Sequence, residues 1–173
     1  MSTLERSVWT ALDSHRGAMY AGAIAVYLVL FVLLRPKAAL FSLVVLPGTL
    51  LHELSHWVAG IVLGGRPGGL RLVPARHGNQ LMLGSVEFAN LRWYNGVFIG
   101  LAPLSLLPAA LALVAWRIGH GTTFGVAGAG WAYVAANLVY AAGPSRQDLR
   151  IVAISRWMLV SAALLAAGWM TYF

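Results

Sequence analysis

Apolar residues fill five long stretches of the chain, each closed by a short cluster of charge, proline or glycine. The first runs from about Ala18 to Leu34 and stops at Arg35-Pro36-Lys37. The second, Leu40 to Leu63, ends in Gly64-Gly65-Arg66-Pro67-Gly68-Gly69. The third covers about Val97 to Ile118, the fourth Thr123 to Ala142, and the fifth starts at Ile151 or Trp157 and reaches the C-terminus. Each approaches the ~20 residues that a helix needs to cross a bilayer. The pattern predicts an all-α polytopic membrane bundle of about five transmembrane helices, forming one membrane-embedded domain over 1–173. Pro47 and Gly48 in the second stretch, and Pro103 and Pro108 in the third, predict kinks or local unwinding. Such breaks are tolerated where neighbouring helices or water satisfy the freed backbone groups.

The pattern changes between the second and third stretches, in a surface loop over 64–96. Leu70-Arg71-Leu72-Val73 and Ser85-Val86-Glu87-Phe88 alternate with the period of two expected of strands, and Pro74 and His77-Gly78-Asn79 supply turn chemistry. A small β-hairpin at the membrane surface is expected there. In the tail over 1–17, Leu4, Val8 and Leu12 recur at helical spacing, as in an interfacial helix. The small residues Ala127-Gly128-Ala129-Gly130 suit close helix packing. Trp93, Trp116 and Trp157 fall near predicted span ends, where tryptophan anchors helices at the interface.

Composition agrees with a membrane protein: 60% of the residues are hydrophobic and 10% charged, against roughly a quarter charged in a soluble domain. The net charge of +7 is read as the basic flanks of membrane spans, with no nucleic-acid partner expected. The absence of cysteine excludes disulfides and thiolate ligands, so a transition metal would have to use His and carboxylates. If the sides alternate at every stretch, Arg6, Arg16, Arg66, Arg71, Arg76, Arg92, Arg146, Arg150 and Arg156 share one side. Arg35, Lys37 and Arg117 take the other. The positive-inside rule then puts the N-terminus in the cytoplasm and the C-terminus outside. The expectation is an integral protein of the bacterial inner (cytoplasmic) membrane, with no cleavable signal peptide, its partner there being the lipid bilayer. Oligomeric state is left open.

The second stretch carries the candidate chemistry, His52-Glu53-Leu54-Ser55-His56. Four residues apart on a helix, His52 and His56 project from one face and can hold one metal ion, with Glu53 close enough to act on water there. Ionisable groups within an apolar span are costly and mark function. A hydrolytic zinc site wants a third protein ligand and an open position. Glu5, Asp13 and His15 lie in the tail, Glu87 and His77 in the surface loop, and His120 on the expected opposite side. Asp148 is the remaining candidate, provided that Gly143 and Pro144 break the fourth helix and let the chain fold back. Interfacial pairing of Asp148 with Arg146 or Arg150 is the competing reading. Asn137, midway along the fourth stretch, fits either orientation of a substrate or an interhelical hydrogen bond.

Together these residues resemble the site-2 protease family of intramembrane zinc metalloproteases. His52, Glu53 and His56 match its HExxH motif and Asp148 its later aspartate ligand, with Asn137 and Pro144 as looser matches. The loop after the HExxH helix is similar to the family's membrane-associated strands. Leu149 follows the aspartate where the family usually has glycine, and Ser55 stands where glycine is common. The resemblance implies one Zn²⁺ per chain held by His52, His56 and Asp148, with Glu53 as general base. It implies a transmembrane protein as substrate, cleaved toward the cytoplasmic leaflet, with Val86 and Phe88 in a strand edge that pairs with it. A zinc-dependent membrane hydrolase of a lipid or small amide, and a relative that binds membrane proteins without cutting them, are the alternatives.

Overall fold

A stretch of apolar residues removed from water has to bond its own backbone, and up to Arg35 the chain does so as α1 (His15–Leu34). Pro36 cannot donate a backbone hydrogen bond, and the chain turns over Arg35–Lys37 into α2 (Ala38–Val62). The computed structural model describes residues 15–71, 75–77, 80–82, 84–120 and 124–172. The expected interfacial helix on Leu4, Val8 and Leu12 lies outside them, as do Pro74 and the Gly78-Asn79 turn. After α2 come β1 (Pro67–Arg71), β2 (Ala75–His77), β3 (Gln80–Met82) and β4 (Ser85–Phe88). They are followed by α3 (Gly96–Gly100), a 3₁₀ turn at Ala102–Ser105, α4 (Leu106–His120), α5 (Val126–Ala141), α6 (Arg146–Ile154) and α7 (Arg156–Tyr172).

Among the described residues three segments are long and apolar enough to cross a membrane: His15–Leu34, Ala38–Val62 and Ala102–His120. The fourth expected crossing corresponds to α5, of 16 residues, and the fifth to α7, of 17. At a rise of ~1.5 Å per residue these reach only ~24–26 Å, short of the ~30 Å hydrocarbon core. The third stretch is not one helix. It divides at Leu101 into α3 and the 3₁₀–α4 segment, with Pro103 inside the 3₁₀ turn. Pro108 sits in the first turn of α4, where its missing N–H has no helical acceptor to lose.

The helix α5 is the centre of the bundle because its side chains are small. Ala132 and Ala135 pack with Tyr20, Val114 and Ile118; Ala136 packs with Phe31, Phe41 and Val45; Ala141 and Ala142 pack with Leu106 and Ala110. Gly128 fits beneath Phe124 and the Tyr20 hydroxyl, whereas Gly130 faces open space. Only one face of the Ala127–Gly130 run is therefore a packing surface.

These contacts overturn the alternation of sides assumed from charge. Tyr20 stacks edge-on against Phe124 near the start of α5, and Phe31 against Tyr140 near its end, so α1 and α5 run parallel. Arg16 donates to the Ile118 carbonyl at 3.2 Å, which puts the start of α1 beside the end of α4. Arg35 reaches the Tyr140 hydroxyl at 3.1 Å at the other end. The chain from Leu34 to Ala102 thus leaves and rejoins the α1–α4–α5 bundle at one end. Arg16 and Arg117 belong together, and Arg35 and Lys37 belong with the 143–156 segment.

At that end β1 pairs antiparallel with β4, matching Leu70 to Val86 and Arg71 to Ser85, with an irregularity between Pro67 and Leu70. A second ladder joins β2 and β3. The hairpin expected from alternation is thus the outer pairing of a longer four-strand excursion. Gly60 lets this sheet close onto α2, since a β-carbon there would fall 2.5 Å from Phe88.

Around Pro47 and Gly48, α2 meets the second half of α5. Gly48 N donates to Asn137 Oδ1 at 3.1 Å, and the Val44 carbonyl accepts from the Tyr133 hydroxyl at 2.6 Å. Both ends of the helical rung beside Pro47 are thereby engaged by α5. A β-carbon on Gly48 would lie 2.7 Å from the Asn137 backbone oxygen, which cannot rotate away. Gly48→Ala should therefore destabilise the protein by about 1–3 kcal/mol through overpacking, read as a lower Tm in detergent. Gly22→Ala, at a position with nothing within 4 Å, should leave Tm within the error of the measurement.

Candidate metal centre

One turn apart on α2, His52 and His56 present their rings to the same face, and each ring is fixed by a backbone carbonyl. His52 Nδ1 lies 2.6 Å from Ala141 O, the last residue of α5. His56 Nδ1 lies 2.7 Å from Ile99 O in α3. A carbonyl only accepts, so both Nδ1 atoms carry the proton and both Nε2 atoms are left as bases. Ala141 closes α5, so the histidines lie level with the end of the central helix and not at its middle.

Asp148 arrives from the other direction. Past Ala141 the chain breaks at Gly143-Pro144, and Ser145 caps α6 in a reciprocal box: the Ser145 hydroxyl accepts from Asp148 N at 3.2 Å while Asp148 Oδ2 accepts from Ser145 N. This box orients the carboxylate. Its Oδ1 lies 3.0 Å from His56 Nε2 and its Oδ2 3.3 Å from His52 Nε2.

The donor set suits a cation. The two Nε2 atoms stand 3.2 Å apart, two lone pairs facing each other beside a carboxylate. Without a positive charge between them, a proton or a metal ion, that arrangement is repulsive. Tetrahedral zinc with bonds of ~2.0–2.1 Å places its ligand atoms ~3.3 Å apart; the two nitrogens here are 3.2 Å apart, and one donor atom from each of the three residues lies within 4.8 Å of the others. Among the described residues His52, His56 and Asp148 form a group able to hold a metal ion. The carbonyls of Ala141 and Ile99 are the outer partners that fix tautomer and ring angle in such sites.

Glu53 is buried beside them. A cavity of about 20 Å³ separates Glu53, His56 and Asp148 from Gly84, Val86 and Phe88 at the start and along β4. That is room for about one water molecule. Gly84 closes over Glu53 so tightly that a β-carbon would fall 2.7 Å from Glu53 Cγ. Val86 and Phe88, the strand residues singled out from sequence, thus wall the cavity. Asn137 does not line it: it is 1% exposed, its Oδ1 accepts from Gly48 and its Nδ2 donates to Tyr133 O at 3.2 Å. It acts on the site at one remove, by seating α2 on the helix that supplies Ala141 O.

Several contributors escaped the sequence reading. The two carbonyls had no signal, because a backbone oxygen is the same at every residue. Ser145 had one, since Ser-x-x-Asp is the spacing of a helix cap. Gly84 had none beyond being glycine.

Purified protein should carry about one zinc per chain by elemental analysis, as a single-metal site requires. His52→Ala and Asp148→Ala should each lose it, while Glu53→Gln should keep it. Full retention by Asp148→Ala would eliminate this ligand set. The assignment rests on these side chains alone: the chain matches no protein-family model, no curated protein and no solved structure.

Proposed function

We propose that this protein is an intramembrane zinc metalloprotease that hydrolyses peptide bonds of transmembrane protein substrates. The observation that carries this reading is the placement of Glu53 against a cavity shared with His56 and Asp148, next to two Nε2 bases and a carboxylate at metal-ligand spacing. Zinc held by His52, His56 and Asp148 would supply Lewis acidity toward a carbonyl and make water acidic near neutral pH. The chain's own residues would do the rest. Glu53 takes a proton from water and returns it to the leaving amine. Ala141 and Ile99 keep both rings in the ligating tautomer. The β4 segment at Val86–Phe88 offers a wall along which an extended, unwound substrate could pair by strand addition.

Orientation follows from the regrouped charges. Arg35, Lys37, Arg66, Arg92, Arg146, Arg150 and Arg156 gather at the end of the bundle that holds the metal centre, against Arg16 and Arg117 at the other. By the positive-inside rule the centre faces the cytoplasm and the start of α1 faces away from it, with α1 and α4 crossing in opposite directions. This is consistent with cleavage toward the cytoplasmic leaflet.

The cavity, about 20 Å³, holds about one water and no substrate of any class as it stands, which leaves a second reading in which the bond cleaved belongs to a lipid or a small amide. Comparing membrane proteomes from cells with wild-type protein and with Glu53→Gln separates the two. Truncated membrane proteins that appear only with the wild type support proteolysis. Unchanged proteins beside an altered lipid or amide profile support the second reading. In either case Glu53→Gln should lower kcat by about 10²–10⁴-fold, the usual contribution of a general base, and chelation should abolish turnover until zinc is restored.

A further inference from the structure

We infer that Gly96 and Gly100 are positioning residues of the metal centre: they form the seat on α3 that sets how close Asp148 comes to His56. This rests on the reading of His52, His56 and Asp148 as a metal site.

The short helix α3 touches both halves of the ligand set. On one side, Ile99 O receives the Nδ1 proton of His56 at 2.7 Å, which ties that ligand to the α3 backbone. On the other side α3 packs directly on the backbone of α6, the helix whose first turn carries Asp148. A β-carbon on Gly100 would fall 2.8 Å from the Asp148 carbonyl oxygen and 2.7 Å from Val152 Cγ2. A β-carbon on Gly96, one turn earlier, would fall 2.7 Å from the Ile151 carbonyl oxygen and 2.9 Å from Ser155 Oγ. The seat is also pinned, because Val97 N donates to Ser155 Oγ at 2.9 Å and Ser155 is fully buried.

The obstructing atoms at both glycines include backbone, which has no rotamer to change. An ordinary contact for a β-carbon begins at 3.4 Å, so an alanine at 100 pushes α6 back by several tenths of an ångström. His56 stays with α3 through Ile99 O, so the displacement opens the distance between His56 Nε2 and Asp148 Oδ1, now 3.0 Å. Metal–ligand distances hold to about ±0.2 Å. The displacement exceeds that tolerance although neither glycine touches the ligand atoms. Two glycines at this spacing are what close approach of helices requires. Here the approach fixes the separation of two ligands and does not merely fill space.

The test is competitive chelator titration of zinc on full-length protein in detergent, with the visible spectrum of the cobalt-substituted site as a measure of its geometry. Gly100→Ala should weaken zinc about 10–100-fold, the loss typical when support of a ligand is disturbed, and should shift the cobalt bands. It should still elute as a single species. Ser155→Ala, which removes the pin without adding bulk, should weaken zinc in the same direction by less and provides the readout should Gly100→Ala not fold. Gly22→Ala should match wild type. Wild-type zinc affinity and an unchanged cobalt spectrum in folded Gly100→Ala, or in Ser155→Ala where Gly100→Ala does not fold, would overturn the inference alone. A wild-type protein that binds no zinc would overturn the metal centre itself, and this seat with it.

Discussion

Two imidazole N–H groups join parts of the chain that otherwise share no ligand, one ending on Ala141 and the other on Ile99. The first ties the HELSH turn of α2 to the end of the central helix α5. The second ties it to the short helix α3, and through α3 to α6 and Asp148. Each bond fixes a ring, and each ring then offers a bare Nε2 to the same point. If either carbonyl moved, a ligand would turn away and the paired lone pairs would lose their common target. The close approach at Gly48 and the small face of α5 bring the Ala141 carbonyl to within hydrogen-bond distance of His52.

Asn137 shows how a polar residue inside a bundle can matter to a site that it does not touch. It is buried, and both ends of its amide are bonded, one to Gly48 and the other to Tyr133. Gly48 lets α2 approach α5 closely enough for that bond to form, and one turn later His52 meets Ala141. Packing and ligation are thus successive turns of one helix contact. A defect in the first is transmitted to the second through a backbone too stiff to absorb it.

The residue types that carry chemistry were legible in the sequence: two histidines and a glutamate at helical spacing, and an aspartate reached by setting aside the other acids. The apolar stretches were legible too, but the direction of each was not. Alternating sides along the chain assumes that every stretch crosses once. The contact between Arg16 and Ile118 and the parallel run of α1 beside α5 show that the second does not alternate with the rest. The break at Leu101 was hidden because Val97 to Ile118 reads as continuous apolar sequence. It is the break that frees Gly96–Gly100 to lie against α6. The supporting carbonyls could not be read at all, since only the fold decides which backbone oxygen faces which ring.

Gly84 closes over Glu53 with no space for one more carbon, and what lies between them holds about one water molecule. An extended polypeptide is far wider than that. If Glu53 acts as the proposed base, the conformation described screens it from any main chain while a water can still reside beside it. On that reading admission of a substrate and readiness of the base are separate events, and the first would require β4 to withdraw from α2. A hydrolase buried among other membrane proteins would gain discretion from this arrangement: what meets its surface at random finds the strand, and only a segment able to displace it reaches the carboxylate.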